Sequence, residues 1–164
     1  MPLFTRRGST FIAVVLCTAA ARAQMPSSGA ALTVGTNVAA RTRTLQDLVD
    51  NYRSQLAISQ PVAISIVPKN PLLVSVGRCS DGAGFEMSFE SDFLDALDAQ
   101  EIDAVVAHEL GHVWIFTHHP FLQTEELAND VALRLVSRDL LERVYAKVWQ
   151  RTGASGDLVY LAAK

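Results

Sequence analysis

The chain has 164 residues, 49% of them hydrophobic and 19% charged, with a formal net charge of −3 and a pI near 5.7. That composition excludes a disordered or low-complexity protein. It also leaves no basic surplus to hold a phosphate backbone, so nucleic acid is not an expected partner. Two cysteines cannot form a disulfide framework.

Residues 1–23 read as a signal peptide. Arg6 and Arg7 precede an apolar run over residues 10–21, and Ala21-Arg22-Ala23 offers small residues at the two positions a signal peptidase reads. The run is too short to span a bilayer comfortably, although an uncut N-terminal anchor is the alternative. Cleavage before Gln24 implies export to the periplasm or the medium and leaves no stable membrane span. It also removes three arginines and no acid, which takes the net charge from −3 to −6. Cys17 goes with the leader, and Cys79, at the end of an apolar run, is expected to be buried.

Residues 24–42, rich in Ser, Gly, Ala and Pro at their start, read as a flexible lead-in to a domain over residues 43–164. From Thr44 the spacing of Leu45, Leu48, Val49, Tyr52 and Leu56 predicts a helix, closed by Gln60-Pro61. Residues 62–67 and 72–76 predict strands, separated by a turn at Lys69-Asn70-Pro71. After a second turn over residues 81–84, Phe85, Met87 and Phe89 alternate with Glu86, Ser88 and Glu90, the pattern of a strand with one wet face. The expected arrangement is a small, mostly antiparallel sheet, a meander. Ser91 can cap a short helix carrying Phe93, Leu94 and Leu97. A long helix follows from Ala99 or Gln100 to His118, with Ile102, Val105, Val106, Leu110, Val113 and Phe116 on its apolar stripe. Thr124 caps the next, with Leu127, Val131, Leu135 and Val136 on its apolar face, and residues 138–150 predict another. The fold class is therefore α+β, a small sheet packed on a bundle of helices.

The chemistry lies in His108-Glu109-Leu110-Gly111-His112 on the long helix. Positions i and i+4 stand one turn apart on one face, so both imidazoles can reach a single metal ion at about 2.0–2.1 Å. Glu109 lies about 100° around the axis. It leans beside the ion rather than onto it, where it can take a proton from water activated by zinc. The competing reading is a helix with two surface histidines. Ala107, Leu110 and Val113 oppose it, because they bury this turn and buried imidazoles need partners.

A hydrolytic zinc site needs a third protein ligand and an open fourth position. If the chain reverses near residues 118–119, Glu125 comes level with His112 across an antiparallel helix pair, and Glu126 is level but rotated by one residue. Either glutamate could instead be a favourable charge at a helix N-terminus. His118 has the spacing of the third histidine in metzincins. That class breaks its helix at a glycine, and the corresponding residue here is Ile115, which resists positive φ.

The segment resembles the gluzincin zinc metallopeptidases, and within them the HtpX-like and prenyl-protease-like family. That family's helix reads roughly Glu-x-x-Ala-Val-x-Ala-His-Glu-x-Gly-His, matched here from Glu101 to His112. Its third-ligand helix reads Glu-x-x-Ala-Asp-x-x-Ala, matched at Glu125, Ala128 and Ala132, with Asn129 in place of the acid. The likeness covers about residues 85–135. It implies a zincin-like fold with the His-Glu motif on a central helix, one zinc ion held by His108, His112 and Glu125, and Glu109 as general base. It also implies that Asn129 orients a ligand histidine. Shifting the register to Glu126 would put Asp130 in that role, at the loss of the alanine match. Three departures stand out: Asn129 itself, a short spacer between His112 and Glu125, and the lack of the family's transmembrane helices. By the same resemblance an extended peptide pairs with an edge strand, for which Phe85, Glu86, Met87, Ser88 and Phe89 are the expected residues. Arg134, Arg138, Tyr145 and His119 are chemically able to stabilise an oxyanion. The function expected is an exported zinc endopeptidase acting on a peptide or protein. The alternatives are a non-catalytic zinc-binding or chaperone-like module on the same fold, and a structural domain whose metal is closed off by His118 or His119.

Overall fold

The structure, a computed structural model, describes residues 30–154 and 161, with side chains from residue 37 onward. Residues 1–23, read as a signal peptide, and residues 24–29 of the expected lead-in lie outside the described residues. The chain order is α1 (Ala30–Gln55), β1 (Val62–Val67), β2 (Val74–Arg78), β3 (Phe85–Glu90), α2 (Ser91–Asp95), α3 (Ala99–His118), α4 (Glu125–Ala132) and α5 (Arg138–Thr152). No helix among the described residues is long and apolar enough to cross a membrane.

Helix α1 begins at Ala30, well before the Thr44 at which its apolar stripe starts. Thr33, Val34, Gly35, Thr36 and Asn37 in its first turns are weak helix formers and carry no apolar stripe in the sequence, so neither propensity nor periodicity could mark them. Arg41 ties the helix to the end of α2, pairing with Asp95 and donating to the Leu94 carbonyl at 2.9 Å. Leu45 and Val49 are fully buried.

The sheet is not a meander. Its order is β1-β3-β2, with β1 parallel and β2 antiparallel to β3. The expected mostly antiparallel sheet is thus a mixed one, and the strand expected at its edge, Phe85 to Phe89, is its centre. Two local features place β3 there. Gly84 lies so close to Pro61 that a Cβ would sit 2.5 Å from the Pro61 carbonyl oxygen, and Phe85 N–H donates to that oxygen at 2.9 Å. Asn70, in the connection from β1 to β2, reaches the Ser88 carbonyl and Ser75 Oγ, each at 3.0 Å, and receives Leu72 N–H. The connection can therefore pass β3 without stranding backbone groups. Phe85, Met87 and Phe89 are buried against the helices.

Helix α2 starts at Ser91, but its N-cap is Glu90 and no side chain caps it. Helix α3 begins as a full capping box: Asp98 Oδ1 accepts from Glu101 N–H at 2.9 Å, and Glu101 Oε2 accepts from Asp98 N–H at 2.8 Å. Ala104, Val106, Ala107, Leu110, Val113 and Ile115 have no exposure at all, so the helix runs through the core. Thr124 caps α4 as expected, accepting from Leu127 N–H at 3.1 Å. Gly153 ends α5 at φ +68°, a left-handed C-cap that glycine adopts without a Cβ penalty. Cys79, expected to be buried, is half-buried.

Candidate metal centre

The cluster is built where α3 and α4 cross. A Cβ on Gly111 would lie 3.0 Å from Ala128 Cα and closer still to the Ala128 carbonyl oxygen. Only a glycine lets the two backbones approach so far. That contact sets the register: Glu125, one turn before Ala128, comes level with His108 and His112 on either side of Gly111.

His108 Nε2 lies 3.2 Å from His112 Nε2 and 3.3 Å from Glu125 Oε2, and His112 Nε2 lies 3.6 Å from Glu125 Oε1. These three residues are the one group among the described residues that could hold a metal ion, each offering one ligand atom within 4.8 Å of the others. Four ligands at zinc-like distances of about 2.0–2.1 Å would be separated by roughly 3.3–3.4 Å along the edges of a tetrahedron. The separations, 3.2 to 3.6 Å with a different Glu125 oxygen toward each ring, lie close to that edge length. The side chains keep 17%, 22% and 33% of their exposure, so the cluster opens to solvent on one side.

The far nitrogens show which atoms face inward. His108 Nδ1 lies 2.8 Å from Asn129 Oδ1, and the Asn129 amide nitrogen is turned to the Tyr145 hydroxyl at 3.0 Å. His112 Nδ1 lies 3.4 Å from Gln123 Oε1, while Gln123 Nε2 donates to the His112 carbonyl at 3.3 Å. Both rings therefore carry their proton on Nδ1 when neutral and turn the Nε2 lone pair inward. Two lone pairs and a carboxylate converge, an arrangement that attracts a cation or a proton.

The titration behaviour follows. Burial alone pushes the His108 pKa down, but the hydrogen bond to Glu125, the charges of Glu109 and Glu125 and the Asn129 contact outweigh it, and the net shift is upward. Burial alone pushes Glu125 up; the His108 hydrogen bond and charge, His112 and the Tyr145 hydroxyl reverse this, and the net shift is downward. Each partner favours positive charge at the point where the three side chains meet.

Of the alternatives, Glu126 is exposed. His118 is exposed too, stacked on Trp114 at 4.4 Å with Nδ1 at 2.9 Å from the Trp114 carbonyl. Neither belongs to the cluster. Asn129, rather than Asp130, meets the His108 ring. Glu109 is half-buried beside His108 and close enough to raise its pKa. Among the four possible oxyanion donors, Tyr145 reaches the cluster, whereas Arg134 lies over the Trp114 ring at 5.0 Å and His119 tilts against the same ring. Tyr145 stands on the stripe of α5 that also carries the buried Leu141 and Val144, and that periodicity alone points it inward. Gln123 was not anticipated, because it sits in a connecting loop with no periodic pattern.

No protein-family model, curated protein or solved structure matches this chain.

Proposed function

We propose that the protein is an exported zinc-dependent endopeptidase. The observation that carries this reading is the convergence of two lone-pair nitrogens and a carboxylate at tetrahedral spacing, with a fourth side open and a further glutamate beside it. Bound there, zinc would supply a positive charge that polarises a substrate carbonyl and acidifies a water molecule. Two neutral imidazoles and one carboxylate are a donor set suited to it.

The chain's own residues would do the rest. Glu109, on the turn between the two histidines, accepts the proton of the attacking water and delivers it to the leaving amine. The Tyr145 hydroxyl, hydrogen-bonded to the Glu125 and Asn129 side chains, orients the third ligand. Gly111 keeps the two helices in register.

The sheet topology moves the expected substrate strand. An incoming peptide needs an edge with unsatisfied backbone groups, and β3 has none to offer. At the β1 edge, Gln46 already donates to the Val62 carbonyl at 2.9 Å and accepts from Ile64 N–H at 3.2 Å. The β2 edge is different. Cys79 N–H bonds to Gly84 and Glu90 N–H to Leu73, so by alternation Ser75 and Gly77 face β3, while Val76 and Arg78 turn their backbone groups outward. Arg78 also sits over Phe116, one turn beyond His112. Strand β2 is the edge we assign to substrate.

The test is Glu109→Gln. The variant should bind zinc as the parent does and lose cleavage of a mixed peptide library, and a chelator should abolish the parent's cleavage until zinc is restored. Zinc binding without cleavage in the parent itself would favour the non-catalytic module, a reading that the neutral Asn129 and the short spacer between His112 and Glu125 motivate.

A further inference from the structure

We infer that Gln123 is the positioning residue of His112, clamping its ring from the loop between α3 and α4. The inference rests on the metal-site reading above. The two histidines of the cluster are held in different ways. His108 is held by Asn129, a fully buried residue of α4 itself. His112 is held by a side chain outside any helix, and by both ends of it. Gln123 Oε1 faces His112 Nδ1 at 3.4 Å, and Gln123 Nε2 donates to the carbonyl of the same residue at 3.3 Å.

The second contact is what makes the first one specific. A carbonyl accepts and cannot donate, so the amide nitrogen must face it and the amide oxygen must face the ring. That oxygen can only accept, so it selects the tautomer with the proton on Nδ1 and leaves Nε2 bare toward Glu125 and His108. An ordinary amide could flip and present its nitrogen to the ring, and the imidazole would then be set the wrong way round. Here the main chain of His112 prevents the flip.

The loop is shaped to bring Gln123 back. His119 N–H returns to the Ile115 carbonyl at 2.6 Å, and Leu122 N–H to the His119 carbonyl at 2.9 Å. This tight turn reverses the chain after α3 and lays residue 123 along the helix it has just left. Thr124 then caps α4 at once. The short spacer between His112 and Glu125 therefore has a use: it is the length at which one residue can grip His112 immediately before the third ligand's helix begins.

The experiment compares the full chain with Gln123→Met, which keeps the length and shape of the side chain and removes both hydrogen bonds. Three quantities are read: zinc affinity by competition with a chromophoric chelator, ring-nitrogen NMR of the two histidines with and without zinc, and thermal unfolding of the metal-free protein. The clamp predicts zinc binding weaker by about 10- to 100-fold, the range for outer partners of ligand histidines. It predicts that the His112 Nδ1–H signal of the metal-free protein at alkaline pH gives way to a tautomer mixture, while the His108 signal and the unfolding midpoint stay as in the parent. An unchanged His112 tautomer in Gln123→Met overturns the inference, and so does equal disturbance of both histidines with a lowered midpoint. A parent that takes up no zinc would instead sink the metal-site reading. The tautomer of His112 in the metal-free protein would still decide whether the clamp exists.

Discussion

Helix α3 carries two carboxylate-centred clusters, one at its first turn and one at its middle, and they are built on opposite principles. At the first turn Glu101 is buried, and each of its oxygens meets a donor. Lys147 Nζ lies 2.6 Å from Oε2, Asp98 N–H 2.8 Å from the same atom, and Arg143 3.2 Å from Oε1. Burial pushes the Glu101 pKa up, but the Lys147 hydrogen bond, the Asp98 backbone and the Lys147 charge outweigh it, so the net shift is downward. The chain supplies its own cations there, and the cluster pins α5 to the start of α3. At the middle, Glu125 meets two imidazoles whose protons point the other way. The chain withholds a cation at the point where it assembled three acceptors. A carboxylate paired with the chain's own cations reads as architecture, and one that faces two imidazole lone pairs reads as a binding site.

The sharpest way to break the comparison is to remove a ligand. Structural zinc sites gain about 10–16 kcal/mol from their ligands together, so losing one of the three here should cost roughly 3 kcal/mol, a drop in zinc affinity of at least about 100-fold. His108→Ala, His112→Ala and Glu125→Ala should each show it by chelator competition, and Glu126→Ala and His118→Ala should not. Removing the metal instead of a ligand comes next. Zinc at about one hundred times its dissociation constant should stabilise the fold by about 2.7 kcal/mol, read as a midpoint that falls by several degrees on adding chelator. Glu101→Gln should lower the midpoint with and without zinc alike.

Gly111→Ala probes what holds the middle cluster together. Its Cβ cannot fit against Ala128, so α4 must move, at a cost of about 1–3 kcal/mol, and Glu125 must move with it. Both stability and zinc affinity should fall. A variant that loses stability alone would mean that the crossing does not set the ligand geometry.

The first-turn cluster gives smaller effects. Glu101→Gln removes a buried charge whose partners Lys147 and Arg143 stay 36% and 46% exposed, so about 1–2 kcal/mol is expected rather than the larger penalty of a fully buried pair. Zinc affinity should be unchanged. Because the folded Glu101 has a depressed pKa, its contribution is complete above the ordinary carboxylate value of about 4.3. It is lost as pH falls through the folded value. The parent should therefore lose stability more steeply than Glu101→Gln below about pH 4, as acid titration of the unfolding midpoint would show.

Much of this was legible in the residues. The i and i+4 spacing of His108 and His112, the Thr124 cap and the apolar stripe of α3 are local signals, and local signals survive folding intact. Glu125 was favoured over Glu126 by resemblance, and the structure places Glu125 in the cluster because the Gly111–Ala128 contact fixes the rotation of α4. Strand order was not legible. Alternation in Phe85 to Phe89 marks a strand but not its neighbours. The contacts that put it at the centre, Gly84 on Pro61 and Asn70 on Ser88, join residues 18 to 23 positions apart through backbone groups that carry no pattern. The early start of α1 was hidden because residues 30–38 show neither an apolar stripe nor a run of strong helix formers.

The most direct measurement is X-ray absorption at the zinc edge on the full chain loaded with one equivalent of metal. The account predicts one ion with two imidazole nitrogens and one carboxylate oxygen at about 2.0–2.1 Å, plus a light-atom solvent ligand, and loss of the carboxylate in Glu125→Ala. A protein that retains no zinc, or a spectrum dominated by sulfur or by six water-like oxygens, would contradict it.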